Sequence, residues 1–340
     1  MKIDILSMSH DEIAALMEQW GEPSYRAGQL FSSLHKNNVR DFSEITTFPK
    51  TLRELCMHKC YINSPKMKKR LVSATHNTVK YLYELSDAHC IECVLMFYRH
   101  GASLCISTQV GCRMGCAFCA STQGGLIRNL TASEMLGQIY ESARQSGHKI
   151  SSVVLMGIGE PLDNFDNVVR FLELIAHPEG LNLSLRHVSL STCGLPGQID
   201  RLSQLKLGLT LSISLHAVTD DERSAIMPVN RRYPIDVLLK SCRAYYKKTG
   251  RRISFEYALI KDQNDTPAHA AKLAALLRGF PCHVNLIPIN PVSGLSFRKS
   301  PPENAQRFKA ALEQKGLNAT IRRELGTDIM AACGQLRLGS

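Results

Sequence analysis

The sequence predicts an α/β protein: a partial (βα)6-type barrel carrying an N-terminal helical and β-rich accessory region and a short C-terminal extension. Three observations predict it. From about residue 100 onward, short apolar β-rich runs alternate regularly with amphipathic helical segments, the pattern of repeated βα units. The chemically unusual residues fall at the C-terminal ends of those runs, the face on which βα barrels assemble their sites. Residues 1–95 lack the alternation and read as a separate accessory region. An open doubly wound sheet is the competing arrangement of the same elements.

Taken in order, SHDEIAALMEQW, SYRAGQLFSSLH and PKTLRELCMHK carry helical signals, and VKYLYELSDAHCIECVLMFY reads as β-rich. The candidate barrel strands are residues 103–109, 152–159, 187–192, 209–216, 253–260, 283–289 and 318–323. Between them lie the helical segments ASEMLGQIYESAR, DNVVRFLELIA, IDVLLKSCRAYYKK, PAHAAKLAALLRG and NAQRFKAALEQKG. The expected division is an accessory region at 1–95, a core barrel at 96–325 and a C-terminal segment at 326–340. No internal repeat or low-complexity tract interrupts this order.

At 340 residues and 44% hydrophobic composition the chain can bury one large core or two smaller ones. It contains no run of about 18 apolar residues. Its first residues, MKIDILSMSHDEI, are acidic where a signal peptide is basic and then apolar. A cytoplasmic location with no membrane partner is therefore expected. In that reducing compartment the twelve cysteines point to ligands or catalysis rather than to a structural disulfide framework. A formal net charge of +11, with basic clusters at 66–70, 230–232, 247–252 and 321–323, points to a polyanionic partner. Each cluster taken alone is more often a solvated face or a helix end, and their sum is stronger evidence than any member.

The densest chemistry lies in GCRMGCAFCA, where Cys112, Cys116 and Cys119 follow the first barrel strand. Three thiolates on a short loop can grip three irons of a cubane cluster and leave the fourth iron open. The same spacing also admits a zinc site completed by a distant ligand, or a redox pair at Cys116 and Cys119. Farther on, GIGEP (157–161) ends the next strand, and its glycines suit close approach of backbone to a ligand. Cys90 and Cys93, three apart on a strand, point to opposite faces and read as ordinary thiols. Cys56 and Cys60, near His58, are spaced for packing on one helix face.

The cysteine triplet, Phe118 before its last member, and GIGEP together resemble the radical S-adenosylmethionine (SAM) superfamily. Longer segments narrow the resemblance: CISTQVGCRMGCAFCASTQGGLIRNLT, VLMGIGEPLDNFDNV, RHVSLSTCGL, SISLHAVTDDERSAIMPVN, GRRISFEYALI, CHVNLIPINP and DIMAACGQL are similar to the RlmN/Cfr family of RNA methyltransferases, and to its RlmN branch in particular. Coverage runs from about Tyr25 to Leu336.

The resemblance implies a radical SAM barrel holding one [4Fe-4S] cluster on Cys112, Cys116 and Cys119, with two SAM molecules used per turnover. It implies methylation of adenosine to 2-methyladenosine in 23S rRNA at the peptidyl transferase centre and in tRNA at position 37. Such a carbon is not nucleophilic enough to attack a SAM methyl group, so a radical route is needed. The implied roles are S-methylcysteine at Cys333, resolution of a protein–RNA adduct by Cys105 through a transient disulfide with Cys333, and proton acceptance by Glu92. An apolar strand setting would raise the pKa of Glu92 toward that of a useful base. SAM contacts are implied at Gly159, Glu160, Ser191, Ser214, Leu215, His216 and Asn290. A flavodoxin or ferredoxin is the implied reductant, and a monomer is expected. A Cfr-type enzyme acting on adenine C8, which would confer antibiotic resistance, shares every one of these residues. A metal-containing RNA-binding or redox-sensing protein is the reading from another class. Two positions depart from the family pattern: Met330 stands where Asp is common, and Cys193 where Ser is common.

Overall fold

The computed structural model describes residues 2–292 and 294–337. The chain opens with β1 (Ile3–Asp4) and helices α1 (His10–Gln19), α2 (Tyr25–His35) and α3 (Lys50–Lys59), before β2 (Cys60–Tyr61) returns to pair with β1. Helix α1 begins at a reciprocal cap: the Ser9 hydroxyl accepts the Glu12 N–H and the Glu12 carboxylate accepts the Ser9 N–H. Ile13 and Met17 of α1 and Leu30, Phe31 and Leu34 of α2 are fully buried, so the helical spacing seen in the sequence is a core face. Cys56 and Cys60 are buried among these residues and His58 is exposed, as packing predicts, although Cys60 already lies beyond the end of α3.

Strands β3 (Lys66–Val72), β4 (Thr78–Glu84), β5 (Cys90–Tyr98) and β6 (Gly101–Cys105) pair antiparallel in succession. KMKKR, read above as a basic cluster, is thus also a strand, and it forms one edge of the sheet. Its exposed lysines suit that place, because charged side chains discourage pairing with another chain. The expected boundary between residues 95 and 96 falls inside β5, so accessory and barrel strands share one sheet.

Beyond β6 the strand and helix alternation sets in. A short hairpin, β7 (Gln109–Gly111) with β8 (Leu126–Asn129), precedes α4 (Ala132–Ser146), β9 (Ile150–Leu155), α5 (Phe165–Ala176), β10 (Val188–Thr192), α6 (Pro196–Gln204), β11 (Thr210–Ser214) and α7 (Asp220–Ile226). Then come α8 (Ile235–Thr249), β12 (Ile253–Leu259), α9 (Pro267–Leu276), β13 (Cys282–Pro288), α10 (Pro302–Gln314) and β14 (Ala319–Ile321). The ten-stranded sheet has the order β14-β13-β12-β11-β10-β9-β6-β5-β4-β3. From β6 through β9 to β14 every neighbour is parallel and sequential. A doubly wound sheet would reverse its order at a switch point, and none occurs here. The outer helices bury one face each, as Phe171, Leu172 and Ile175 of α5 do, at about 2 kcal/mol of hydrophobic stabilisation per side chain.

The run 103–109, expected as one strand, divides in two. The sheet strand stops at Cys105, and the Thr108 and Gln109 N–H groups both turn to the Ile158 carbonyl beyond the end of β9. That turn frees Gln109–Gly111 to pair with β8, so the cysteine loop hangs between two strands of a hairpin. Helices α6 and α7, short and without a marked apolar run, were not among the expected elements.

Candidate active site

The three cysteines of GCRMGCAFCA lie between β7 and the 3-10 turn Ala120–Thr122, and Cys112 is tied across the loop by its N–H to the Gly125 carbonyl. All three line one cavity with Ser191 of β10, Ser214 of β11, Glu256 of β12, Ile287 of β13, Met156 after β9 and Arg322 after β14. Contributions from six neighbouring strands to one cavity mean that the sheet is curled, which is the partial barrel expected. Burial pushes the Cys112 thiol up to about 12 and raises Cys116 and Cys119 as well, with Cys119 adding to both Cys112 and Cys116. Among the described residues all twelve cysteines are free thiols, and no three His, Cys, Asp or Glu side chains meet at a point fit for a single ion. The donor set fits a cubane cluster: three soft thiols on a closed loop, facing one cavity and free of disulfides.

Gly157 and Gly159 have a packing reason to be glycine beside the expected approach of a ligand. A Cβ on Gly157 would stand 2.6 Å from the Ile106 carbonyl oxygen, and one on Gly159, at φ +108°, would stand 2.6 Å from Gln109 Cβ. They are required by the chain leading into the cysteine loop, which packs directly against them. Gln109 completes the joint. Its side-chain oxygen accepts the Glu160 N–H at 2.8 Å, and its amide donates to Asn129 and to Asp163. The cysteine loop is therefore positioned by the end of β9 before any ligand arrives.

Glu160 is buried, and burial raises its pKa. Its two oxygens accept the Leu162 N–H at 3.0 Å and the Cys193 N–H at 2.7 Å, fastening the end of β9 to that of β10. Ser191 and Ser214 face each other, with 3.5 Å between hydroxyls. His216 holds a left-handed backbone at φ +61°, and its Nδ1 accepts the Ala258 N–H at 2.9 Å, which leaves the ring proton on Nε2. Burial, with Arg223 adding to it, lowers the His216 pKa to about 3, so the ring is neutral. Phe118 meets it edge-on at 5.0 Å, linking the cysteine loop to the end of β11. Gly159, Glu160, Ser191, Ser214, His216 and Asn290 all line the cavity. Leu215 does not: its side chain belongs to the hydrophobic core, and its backbone N–H and carbonyl are bonded to Glu256 and Arg223.

Sequence reasoning missed the residue that fixes these strand ends. Arg223 of α7 is fully buried and donates to the carbonyls of Cys193, Ser214 and Leu215 and to Asn230 Oδ1. It lay in ERSA, a stretch that reads as an exposed helix, and no spacing signals it. Cys193 is buried in an apolar cluster against which Cys116 also packs, a setting that suits a thiol better than a hydroxyl.

Cys333 sits on the C-terminal segment, which closes the mouth of the barrel. Gly334 and Leu336 accept from the Ala120 N–H and the Ser121 hydroxyl, the Asn290 amide donates to the Cys333 carbonyl at 3.2 Å, and the Gln335 amide donates to the Pro291 carbonyl. Cys333 lines the cluster-loop cavity and also a second, smaller cavity that contains Cys105. The two expected catalytic thiols are thus neighbours, although 228 positions separate them (333 − 105). Burial, with Cys333 adding to it, pushes the Cys105 thiol up to about 12.

Glu92 departs from its expected setting. It is buried, but its surroundings are ionic and not apolar: Lys80 Nζ lies 2.9 Å from one oxygen, and the Arg337 N–H donates to the other at 3.1 Å. It lines a third cavity, beneath the C-terminal segment, with Lys69, Asp328 and Met330. Met330 is 40% exposed, its carbonyl accepts from Lys80, and it lines neither cavity that holds the two thiols. Cys93 is buried and bonded to Ser142, while Cys90 is partly exposed, so the two do face opposite sides.

Comparison with known proteins agrees with this geometry. Residues 106–274 match the Radical SAM superfamily, and residues 3–62 match the ribosomal RNA large subunit methyltransferase N-terminal domain. A protein of Lachnoclostridium phytofermentans named "Probable dual-specificity RNA methyltransferase RlmN" is 48% identical over 336 residues, covering 99% of this chain and 94% of the relative. The chain belongs to the RlmN family of radical SAM RNA methyltransferases. A relative of the same name from Alkaliphilus metalliredigens is also 48% identical, over 99% of this chain and 95% of its own length. The crystal structure of a radical SAM methyltransferase from Sphaerobacter thermophilus superposes with a TM-score of 0.94 at 40% identity, covering 98% of this chain and 99% of that one. Family membership implies a [4Fe-4S] cluster and SAM, in keeping with the three-thiol cavity. Among the described residues no helix is long and apolar enough to cross a membrane.

Proposed function

We propose that the chain converts adenosine to 2-methyladenosine in 23S rRNA and in tRNA at position 37, passing the carbon through Cys333. The observation that carries this reading is the position of Cys333 on the wall shared by two cavities, one ringed by Cys112, Cys116 and Cys119, the other holding Cys105. A thiol so placed can be loaded from one side and can deliver to the other.

Cys112, Cys116 and Cys119 would hold the [4Fe-4S] cluster, with Gly159, Glu160, Ser191, Ser214, His216, Asn290 and the Leu215 backbone around SAM. When bound, two SAM molecules per turnover supply the methyl group and, on reduction by flavodoxin or ferredoxin, the means of removing a hydrogen atom from it. Cys333 holds the carbon as a thioether and joins it to the adenine ring. The ring, left as a radical by that addition, must then give up one electron, which the cluster would accept, and its original hydrogen as a proton. Glu92 is the proposed acceptor; it shares a face of β5 with Val94, the partner of Cys105 across the strands, and the C-terminal segment must shift to expose it. Cys105 sulfur next attacks Cys333 sulfur. The S–S bond forms, the S–CH2 bond breaks with its electron pair left on carbon, and uptake of one proton makes the methyl group.

RNA is drawn by the basic clusters, of which the exposed Lys66, Lys68, Lys69 and Arg70 on the edge strand are the most accessible, so binding should weaken steeply with salt. Residues 1–95 are assigned to RNA binding, and the enzyme acts as a cytoplasmic monomer. An anaerobic reaction with rRNA and tRNA fragments, digested and analysed by mass spectrometry, tests the position. 2-Methyladenosine in both is expected; 8-methyladenosine without the 2-methyl isomer would assign the Cfr-type activity instead.

A further inference from the structure

Two polar side chains beside Cys105 and Cys333 have no part in the chemistry above. Arg322, the residue after β14, lines both the cluster-loop cavity and the two-thiol cavity, and Tyr98, at the end of β5, lines the second. Sequence reading placed Arg322 in a basic cluster for polyanions, but the fold turns it inward. Among the described residues, the acceptor that its guanidinium reaches is Met156 Sδ, at 3.6 Å. Among the described residues the Tyr98 hydroxyl donates to Met96 Sδ, also at 3.6 Å. Thioether sulfur is a weak acceptor, so nearly all of the five guanidinium donors and the phenol donor are unspent. Glu256 and the two thiols attract Arg322 at longer range without forming a hydrogen bond. Val94, Met96, Ile287, Leu325 and Leu336 give this cavity apolar wall, and Asn290, Arg323 and Glu324 line it as well. Arg322 and Tyr98 are half-buried, so their donors meet little water and no strong partner. Apolar wall beside a fixed cation suits a purine base.

We propose that the two-thiol cavity receives the target adenine, and that Arg322, aided by the Tyr98 hydroxyl, is its specificity-determining residue, donating to a ring nitrogen beside the carbon that faces Cys333. This rests on the reading that Cys333 delivers carbon to adenine C2. C2 lies between N1 and N3, both acceptors, so a side chain that can only donate orients that edge toward the two sulfurs. Guanine presents an N1–H and an amino group on the same edge and keeps only N3 as an acceptor there. A guanidinium cannot accept from either donor, so a contact at the N1 position selects adenine over guanine.

The test separates loading from delivery. Anaerobically prepared protein is incubated with SAM and a reductant alone, and S-methylation of Cys333 is measured by peptide mass; RNA is then added to the same variants in a Cys105→Ala background and the protein–RNA adduct is counted. Arg322→Met should keep Cys333 methylation within about twofold and lose adduct by about 10- to 100-fold, the effect of removing a hydrogen bond from a charged donor. Arg322→Lys should recover part of it. RNA carrying 1-deazaadenosine or 3-deazaadenosine at the target gives a measurement free of folding defects: one analogue should lower adduct in the parent protein, and Arg322→Met should lower it no further. Loss of Cys333 methylation in Arg322→Met would assign the residue to the thiol or to SAM and overturn the proposal, as would full adduct yield from Arg322→Met or from both analogues. Absence of S-methyl on Cys333 in the parent protein would remove the reading beneath the proposal, and the proposal with it.

Discussion

The two groups of functional thiols are built in opposite ways. Cys112, Cys116 and Cys119 lie within one loop of eight residues, hung on a hairpin and fixed by Gln109 and the glycines at the end of β9. Cys105 and Cys333 come from the first barrel strand and the C-terminal segment, and meet only because that segment is pinned across the mouth by Ala120, Ser121, Asn290 and Gln335. On the proposed roles the local group would hold a resident cofactor and must stay still. The assembled group would open and close around a substrate, and a pinned segment with separable hydrogen bonds allows it.

The contrast can be broken in order of effect. Replacing Cys112 by Ala should remove the iron, the brown absorbance and every downstream product together, because one thiol fewer leaves an iron unheld. Cys333→Ala should keep the iron and make no methylated RNA, and Cys105→Ala should keep the iron but accumulate adduct; iron analysis and gel shift under denaturing conditions separate the three. Lys80→Met, which strands the buried Glu92 without its cation, should lower unfolding free energy by about 3 kcal/mol in a denaturant titration. Gly159→Ala combines a positive φ with a clash at Gln109 and should lower stability by about 2 kcal/mol, seen as a fall in Tm. Gln335→Ala, which only loosens one pin of the C-terminal segment, should slow adduct formation by about fivefold with iron content unchanged.

The same contrast explains what the sequence made legible. The cysteine loop could be read from spacing, and the barrel from alternation, because both are written in consecutive residues. Cys105 and Cys333 had no such signal. Read singly they are a strand thiol and a packing thiol, and only resemblance to a family picked them out. Arg223 and Arg322 were beyond reach for the same reason: a charged residue in an ordinary polar stretch looks solvated until tertiary structure buries it. Glu92 was placed on its strand correctly, but the expected apolar setting failed because Lys80, on the adjacent strand, pairs with it. GIGEP was recognised as important, and its glycines also answer to the neighbouring chain, a packing demand that spacing does not show.

The central claim is that Cys333 carries the carbon. Cys105→Ala protein, given SAM, a reductant and an RNA fragment without oxygen, can be digested with protease and nuclease and the linked species sequenced by mass spectrometry. The account predicts an adenosine joined through a one-carbon bridge to the peptide that contains Cys333. Normal yields of methylated RNA with no nucleotide on that peptide would contradict it.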